Sequence, residues 1–266
     1  MISLRPMGLV PLLALLAFAS LPGSDAPALA QSGAEPDYDP SQQAEEVAVG
    51  VEGDRYADTD PAALTDFRGT LDPHGSWVDD ADYGTVWVPN TEEVGQDFTP
   101  YVTSGSWAYD EDFVWESAFE WGWVPFHYGR WAWIEQRRWG WIPGREYAGA
   151  WVEWWVGPNG YGYVGWNTLA PSFGWRGGVA YGFPAGYARP PAPVFCAREE
   201  VFAPRVYAKV VVGDAARAVA VQTRPYVRAQ PVVAGRSVMR GPSPAALGID
   251  AGRIVRVNEQ NAAVAR

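Results

Sequence analysis

Glu116, Glu120 and Glu153 are the side chains best suited by type to acid–base chemistry, because each sits among tryptophans, where desolvation raises a carboxyl pKa. Glycoside hydrolysis needs two such groups facing each other across about 5–9.5 Å, and no flanking pattern pairs these three. A Gly-x-Ser-x-Gly elbow is absent, and the single cysteine, Cys196, has no histidine near it in sequence. His74 and His127 each precede a Gly-x-Trp tripeptide, but neither His-x-His nor Cys-x-x-Cys spacing accompanies them. The acidic turns Asp79-Asp80-Ala81-Asp82 and Asp110-Glu111-Asp112 offer oxygen ligands of the kind calcium takes. They match neither an EF-hand loop nor a repeated calcium-binding nonapeptide, so they are expected to be solvated hairpin tips. The expectation is a protein without catalytic residues, metal or cofactor. A cell-wall glycoside hydrolase using Glu116, Glu120 or Glu153 is the weakest of the functional readings.

Aromatic stacking is the other available chemistry. All fifteen tryptophans fall between Trp77 and Trp175, together with seven tyrosines and five phenylalanines. Planar indoles flanked by carboxylates and amides can stack on sugar rings, or they can fill a core. Fifteen exceed what a core of this length needs, so most are expected to be structural and a few exposed. The expected ligand-binding surface comprises Trp107, Trp115, Tyr128, Trp131 and Trp133, grouped near the second turn.

The tryptophans recur in fixed contexts, and these define the elements that must carry them. Gly-x-Trp occurs at Gly75-Ser76-Trp77, Gly105-Ser106-Trp107 and Gly129-Arg130-Trp131, each followed by a Trp-(Val/Ile)-Pro step ending at Pro89, Pro125 or Pro143. The spacing predicts hairpins from Trp77 to Trp87, Trp107 to Trp123 and Trp131 to Trp141, with a fourth from Trp151 to Trp166 turning at Gly157-Pro158-Asn159-Gly160. Within Trp121-Gly122-Trp123, Trp131-Ala132-Trp133 and Trp139-Gly140-Trp141, period two places both indoles on one face and the small residue on the other. Proline lacks a backbone donor, so the three prolines belong at strand ends. The fold class expected is mainly β: antiparallel hairpin repeats over 71–175 forming a curved sheet or small barrel-like meander.

Outside this window the texture changes. Arg5, the apolar run Leu9 to Leu21 and Ala28-Leu29-Ala30 have the pattern of a signal peptide over 1–30 cleaved after Ala30. The apolar run falls short of the about 20 residues of a membrane span. Export to the periplasm or outer surface follows as an expectation. Residues 31–70 are acidic and poor in large apolar groups, and so are expected to be a disordered linker, with a short helix at Pro61 to Phe67 capped by Thr59 or Asp60. Residues 176–214 begin Gly/Pro-rich and continue as valine-rich strands that pack back on the repeats. Residues 215–266 are expected to be a mostly extended Ala/Val/Arg tail.

Charge divides the chain. Residues 31–175 hold 25 acidic and 6 basic side chains, whereas 176–266 hold 13 basic, twelve of them arginine, and 5 acidic. The halves can attract one another within one molecule, or the basic part can reach an anionic partner, including peripheral contact with a membrane surface. Nucleic acid is an unsuitable ligand for a module so acidic. An unpaired cysteine in an exported chain is either a buried thiol or an intermolecular bridge; the apolar neighbours Val194, Phe195 and Val201 favour burial.

The stretches Leu71 to Trp77, Pro100 to Trp107, Trp123 to Trp131, Gly140-Trp141-Ile142-Pro143-Gly144, Tyr163-Val164-Gly165-Trp166 and Arg240-Gly241-Pro242 carry a family resemblance. The chain resembles, over roughly 71–258, a bacterial family of exported, tryptophan-rich proteins of unknown function. That family is often found with FecR-like domains and is related to repeats with a Tyr-x-x-Gly-x-Trp signature. The resemblance implies a cell-envelope location and a β-rich fold, and it transfers no catalytic residue. The leading functional expectation is a non-enzymatic envelope protein serving structure or interaction. The alternative is a glycan- or cell-wall-binding module, with cell-wall glycan or another envelope protein as partner.

Overall fold

Directly opposed indoles close each hairpin. Strands β1 (Gly75–Asp80) and β2 (Gly84–Pro89) place Trp77 opposite Trp87, and β3 (Gly105–Asp110) and β4 (Asp112–Ser117) place Trp107 opposite Trp115. In β5 (Tyr128–Ile134) and β6 (Arg138–Tyr147), Trp131 faces Trp141 and Trp133 faces Trp139. In β7 (Val152–Val156) and β8 (Tyr163–Thr168), Trp154 faces Trp166. The glycine of Gly-x-Trp is the floor on which the partner strand's indole lies. A Cβ on Gly75 would sit 2.5 Å from Trp87 Cε2, one on Gly105 2.6 Å from Trp115 Cε2, and one on Gly129 2.9 Å from Trp141 Nε1. Atoms do not pack that closely, so the repeat records a steric requirement.

The computed structural model describes residues 59–257, apart from 135–137, 170, 172, 177–178, 183–191, 227–231, 234–235 and 238–240. The expected signal peptide, most of the acidic linker and most of the Gly/Pro-rich connection lie outside the described residues. The fold is mainly antiparallel β, as the spacing predicts. Its eight hairpin strands do not form one meander. They divide into a four-stranded sheet of order β1-β2-β6-β5, the separate β3-β4 hairpin, and a five-stranded sheet. The last has the order β12-β11-β8-β7-β13, where β11 is Val194–Ala197, β12 Val210–Val211 and β13 Arg224–Pro225. The short pairs β9 (Phe173–Arg176) with β10 (Val179–Gly182) and β14 (Val232–Val233) with β15 (Arg236–Ser237) complete the set. Among the described residues no sheet closes into a barrel.

Period two gives the four-stranded sheet two unlike faces. Trp87, Trp131, Trp139 and Trp141 enter the main aromatic core, while Val86, Val88, Ala132, Ile134 and Ile142 form a second, largely aliphatic cluster with Tyr83. The tripeptide rule holds on β5 and β6 and fails at Trp121-Gly122-Trp123, which lies in a run of turns. The second hairpin therefore returns at Trp115, across a turn in which Glu111 takes φ 61°, and not at Trp123. Pro89 ends β2 as expected. Pro125 lies in the turns, and Pro143 lies within β6 where the pairing with β5 shifts between Tyr128 and Arg130, so the ladder there asks no donor of it.

The ordered module begins before residue 71. A 3-10 turn, Pro61–Ala63, is capped by Asp60, whose carboxylate accepts from Ala62 N at 2.9 Å, and runs into helix α1 (Leu64–Leu71). Ala63, Phe67 and Leu71 are buried against the indole face, and Leu71 O accepts from Trp87 Nε1 at 3.1 Å. Arg145 on β6 pairs with Asp60 and Asp66. This segment is thus part of the core and not the end of a disordered linker. A second short helix, α2 (Thr91–Val94), follows β2.

The C-terminal part also departs from expectation. Val206–Lys209 is a 3-10 turn, leaving only Val210 and Val211 as strand, and helix α3 (Gly213–Ala220) buries Val219 where an extended chain was expected. Backbone bonds tie this part to the tryptophan-rich part: Tyr226 N to Trp154 O at 2.7 Å and Tyr109 N to Val255 O at 2.8 Å, with Gly241 N donating to the Asp112 carboxylate at 3.0 Å.

The glycine floor yields a test. Gly105→Ala is expected to lower stability by about 2 kcal/mol through overpacking against Trp115. Gly69→Ala, where a Cβ meets nothing within 4 Å, is expected to raise stability by about 0.5–1 kcal/mol. Urea unfolding of both variants measures the contrast, and equal shifts would contradict it.

Candidate functional site

Ten of the fourteen indoles whose side chains are described are buried. Trp107, Trp115 and Trp131, expected as surface, have 0, 0 and 1 % exposure. That expectation is corrected: a second layer covers the strands that carry them. Trp107 packs on Trp154 at 4.9 Å and Trp166 at 5.6 Å, and Trp131 is covered by Phe98 at 5.4 Å and Phe126 at 5.8 Å. Tyr128 is half-buried against Phe67 and Tyr147, and its carbonyl accepts from Trp141 Nε1 at 2.7 Å. Trp133 alone of the five is exposed, at 43 %. The structure does not bring the five together on one surface.

Trp133 instead belongs to a concavity. It meets Trp139 edge-on at 5.3 Å across the β5–β6 hairpin, and both line a pocket of 220 Å³. Pro89, Val94 and Phe98, contributed by the end of β2, helix α2 and the loop after it, line it too. Among the described residues, Arg138 at the start of β6 is the one charged residue lining it, and its buried Nε has no hydrogen-bond partner. Sequence reasoning missed Phe98, Trp139 and Arg138. Their convergence is tertiary, and only the exposed Trp133 was legible by type. A second concavity of 390 Å³ lies between the β7–β8 turn and the C-terminal part, lined by Tyr161, Tyr163, Arg224 and Tyr226.

The acid–base candidates occupy separate places. Glu116 is on β4 opposite Ser106, Glu120 is exposed in the turns that follow, and Glu153 on β7 accepts from Trp155 Nε1 at 3.1 Å. The turn carboxylates serve their own backbone: Asp80 accepts from Asp82 N and Tyr83 N, and Asp112 from Phe113 N. Among the described residues no group of three or more His, Cys, Asp or Glu is arranged to hold a metal ion. His74 is 3.1 Å from Glu93 on α2, which also accepts from Trp121 Nε1 at 2.6 Å. Cys196 on β11 is fully buried, and burial, helped by Glu200 and Glu199, pushes its thiol up to about 12. An intermolecular disulfide through it would require the sheet to open.

The buried polar groups gather around Tyr101 and His127. Tyr101, at φ 60°, donates its hydroxyl to Phe126 O at 3.1 Å and accepts from Trp151 N at 3.2 Å, and burial holds its phenol above the usual range. His127 sets Nδ1 3.0 Å from Ala148 O and stacks on Tyr147, and its carbonyl accepts from Trp151 Nε1. The Arg130 guanidinium lies 3.9 Å from the Trp151 ring centroid. These groups join loops to strands and open on neither concavity.

Burial, opposed by the Ala148 and Gly149 hydrogen bonds and by Glu116, lowers the His127 pKa. The folded state therefore holds the ring neutral while the unfolded chain takes up a proton below about 6.5, so this residue's contribution is present above that pH and is lost as pH falls through it. Urea unfolding at pH 7.5 and 5.5 is expected to show wild type losing about 1 kcal/mol more than His127→Gln between the two. An identical pH dependence would contradict the assignment.

No curated protein and no solved structure matches the chain. Residues 68–173 match the model of a family described as a family of unknown function (DUF6600), a span that runs from helix α1 to strand β9 and contains the pocket beside Trp133.

Proposed function

We propose that this protein is an exported, non-enzymatic module of the bacterial cell envelope that serves structure or interaction. The burial of ten indoles, eight of them on strands directly opposite another indole, is the observation that carries the reading, since it commits the aromatic content to a scaffold stable without a disulfide. Export rests on the N-terminal pattern from Arg5 to Ala30. The resemblance to tryptophan-rich envelope proteins that accompany FecR-like domains adds another envelope protein as a partner class. Glu116, Glu120 and Glu153 stand on different elements, one already bonded to an indole, which favours interaction over hydrolysis. No helix among the described residues is long and apolar enough to cross a membrane.

A second reading, glycan binding, is favoured by one observation. Trp133 presents an exposed indole in a pocket also lined by Trp139 and Phe98, the kind of aromatic face that receives a sugar ring.

Expression with cell fractionation is expected to give an envelope protein whose first residue is Gln31; retention of Met1 in the exported protein contradicts the export reading. Trp107→Ala is expected to cost about 3–5 kcal/mol, whereas Trp133→Ala leaves thermal stability nearly unchanged and removes any fluorescence response to cell-wall polysaccharide. A Trp107→Ala variant as stable as wild type would overturn the scaffold reading.

A further inference from the structure

The pocket beside Trp133 is chemically lopsided. Its walls are the indoles of Trp133 and Trp139, the ring of Phe98, and Val88, Pro89 and Val94, with Gln96 and Thr91 as neutral polar groups. Into this lining of rings, aliphatic groups and neutral polar groups the β5–β6 hairpin brings a cation, Arg138, opposite Ile134 in the strand register. The buried Nε–H of Arg138 has no acceptor among the described residues, and a donor in that condition costs stability until something accepts from it. The acidic residues of the same stretch, Glu92, Glu93 and Asp97, do not line the pocket, and Glu93 is taken up by His74 and Trp121. At 220 Å³ the space is smaller than the roughly 300–1,000 Å³ of sites for drug-sized molecules. It is sized for one ring.

We propose that this pocket binds a single carboxylate-bearing sugar unit of a glycan, its ring stacked on Trp133 and its carboxylate accepting from Arg138. The inference rests on the glycan-binding reading and adds its chemical class. Indole supplies an apolar face for the axial C–H groups of a pyranose. Guanidinium supplies the planar, fixed fork that matches a carboxylate and discriminates against a neutral hydroxymethyl group at the same carbon. The strongly negative tryptophan-rich part repels a densely charged polyanion, so the ligand carries its acidic sugars singly between neutral ones.

The test uses the full mature chain and isothermal titration with two oligosaccharides that differ in one feature: a glucose oligomer, and the same oligomer ending in glucuronic acid. The expected result is tighter binding of the acidic oligomer by about tenfold or more, an advantage removed by Arg138→Gln and weakened by added salt. Trp133→Ala should abolish binding of both oligomers with an unchanged melting temperature. Trp133→Phe, expected to keep part of the affinity, guards against a folding defect in the alanine variant. If both oligomers bind equally and Arg138→Gln changes nothing, the carboxylate proposal falls while glycan binding stands. If neither oligomer binds, both fall.

Discussion

A buried indole brings one N–H with it, and leaving that donor unpaired costs free energy; the architecture of this protein follows from pairing it many times over. Trp87 donates to Leu71 O, Trp121 to the Glu93 carboxylate, Trp141 to Tyr128 O, Trp151 to His127 O and Trp166 to Tyr101 O. Every acceptor sits on a helix, a loop or a strand end, so each bond pins a connecting segment to the aromatic core. Trp107, Trp115 and Trp131 have no such partner among the described residues and are surrounded by rings, with Trp107 edge-on to Trp115 at 5.2 Å, Trp115 edge-on to Tyr101 and Trp131 edge-on to Phe98. Their positive edges meet the negative faces of neighbours. Polar satisfaction and ring packing together hold the sheets in one unit without a disulfide.

Tyr101 is where the layers meet. Its ring stacks near Trp107, its hydroxyl bridges Phe126 and Trp151, and its carbonyl receives Trp166. A left-handed backbone at a non-glycine residue costs about 1–3 kcal/mol, and these three hydrogen bonds offset it. The C-terminal part then closes over the same core, bringing Phe202 onto Phe113 at 5.5 Å and running residues near Val255 beside β3. The contrast in charge between the halves is accompanied by direct hydrogen bonds between them. The ion pairs of Arg198, Lys209 and Arg217 with Glu199, Glu200 and Asp214 are local.

Period-two spacing and Gly-x-Trp made the hairpins legible, because a glycine two residues before an indole is a steric requirement visible in sequence. The Asp60–Pro61 helix start was legible for the same kind of reason. The identical texts Trp121-Gly122-Trp123 and Trp139-Gly140-Trp141 show the limit. Gly140 lies against Val86 and Ile134 in a strand, whereas Gly122 lies against Ser117 and the Phe119 carbonyl in a turn, and the difference comes from residues outside the tripeptide. Alternation assigns side chains to faces but does not reveal which face another layer will cover. Trp107, Trp115 and Trp131 therefore looked available for binding and are interior. The pocket beside Trp133 draws Phe98 and Arg138 from segments forty residues apart, and no local pattern announces such a meeting.

Proton exchange at the indole nitrogens, followed by NMR on the mature protein, tests the scaffold account most directly. Slow exchange, governed by unfolding, is expected for the indoles of Trp87, Trp141, Trp151 and Trp166, and fast exchange for the exposed Trp123 and Trp133. Fast exchange at all of them, with the collapsed chemical shifts of free indole, would contradict it.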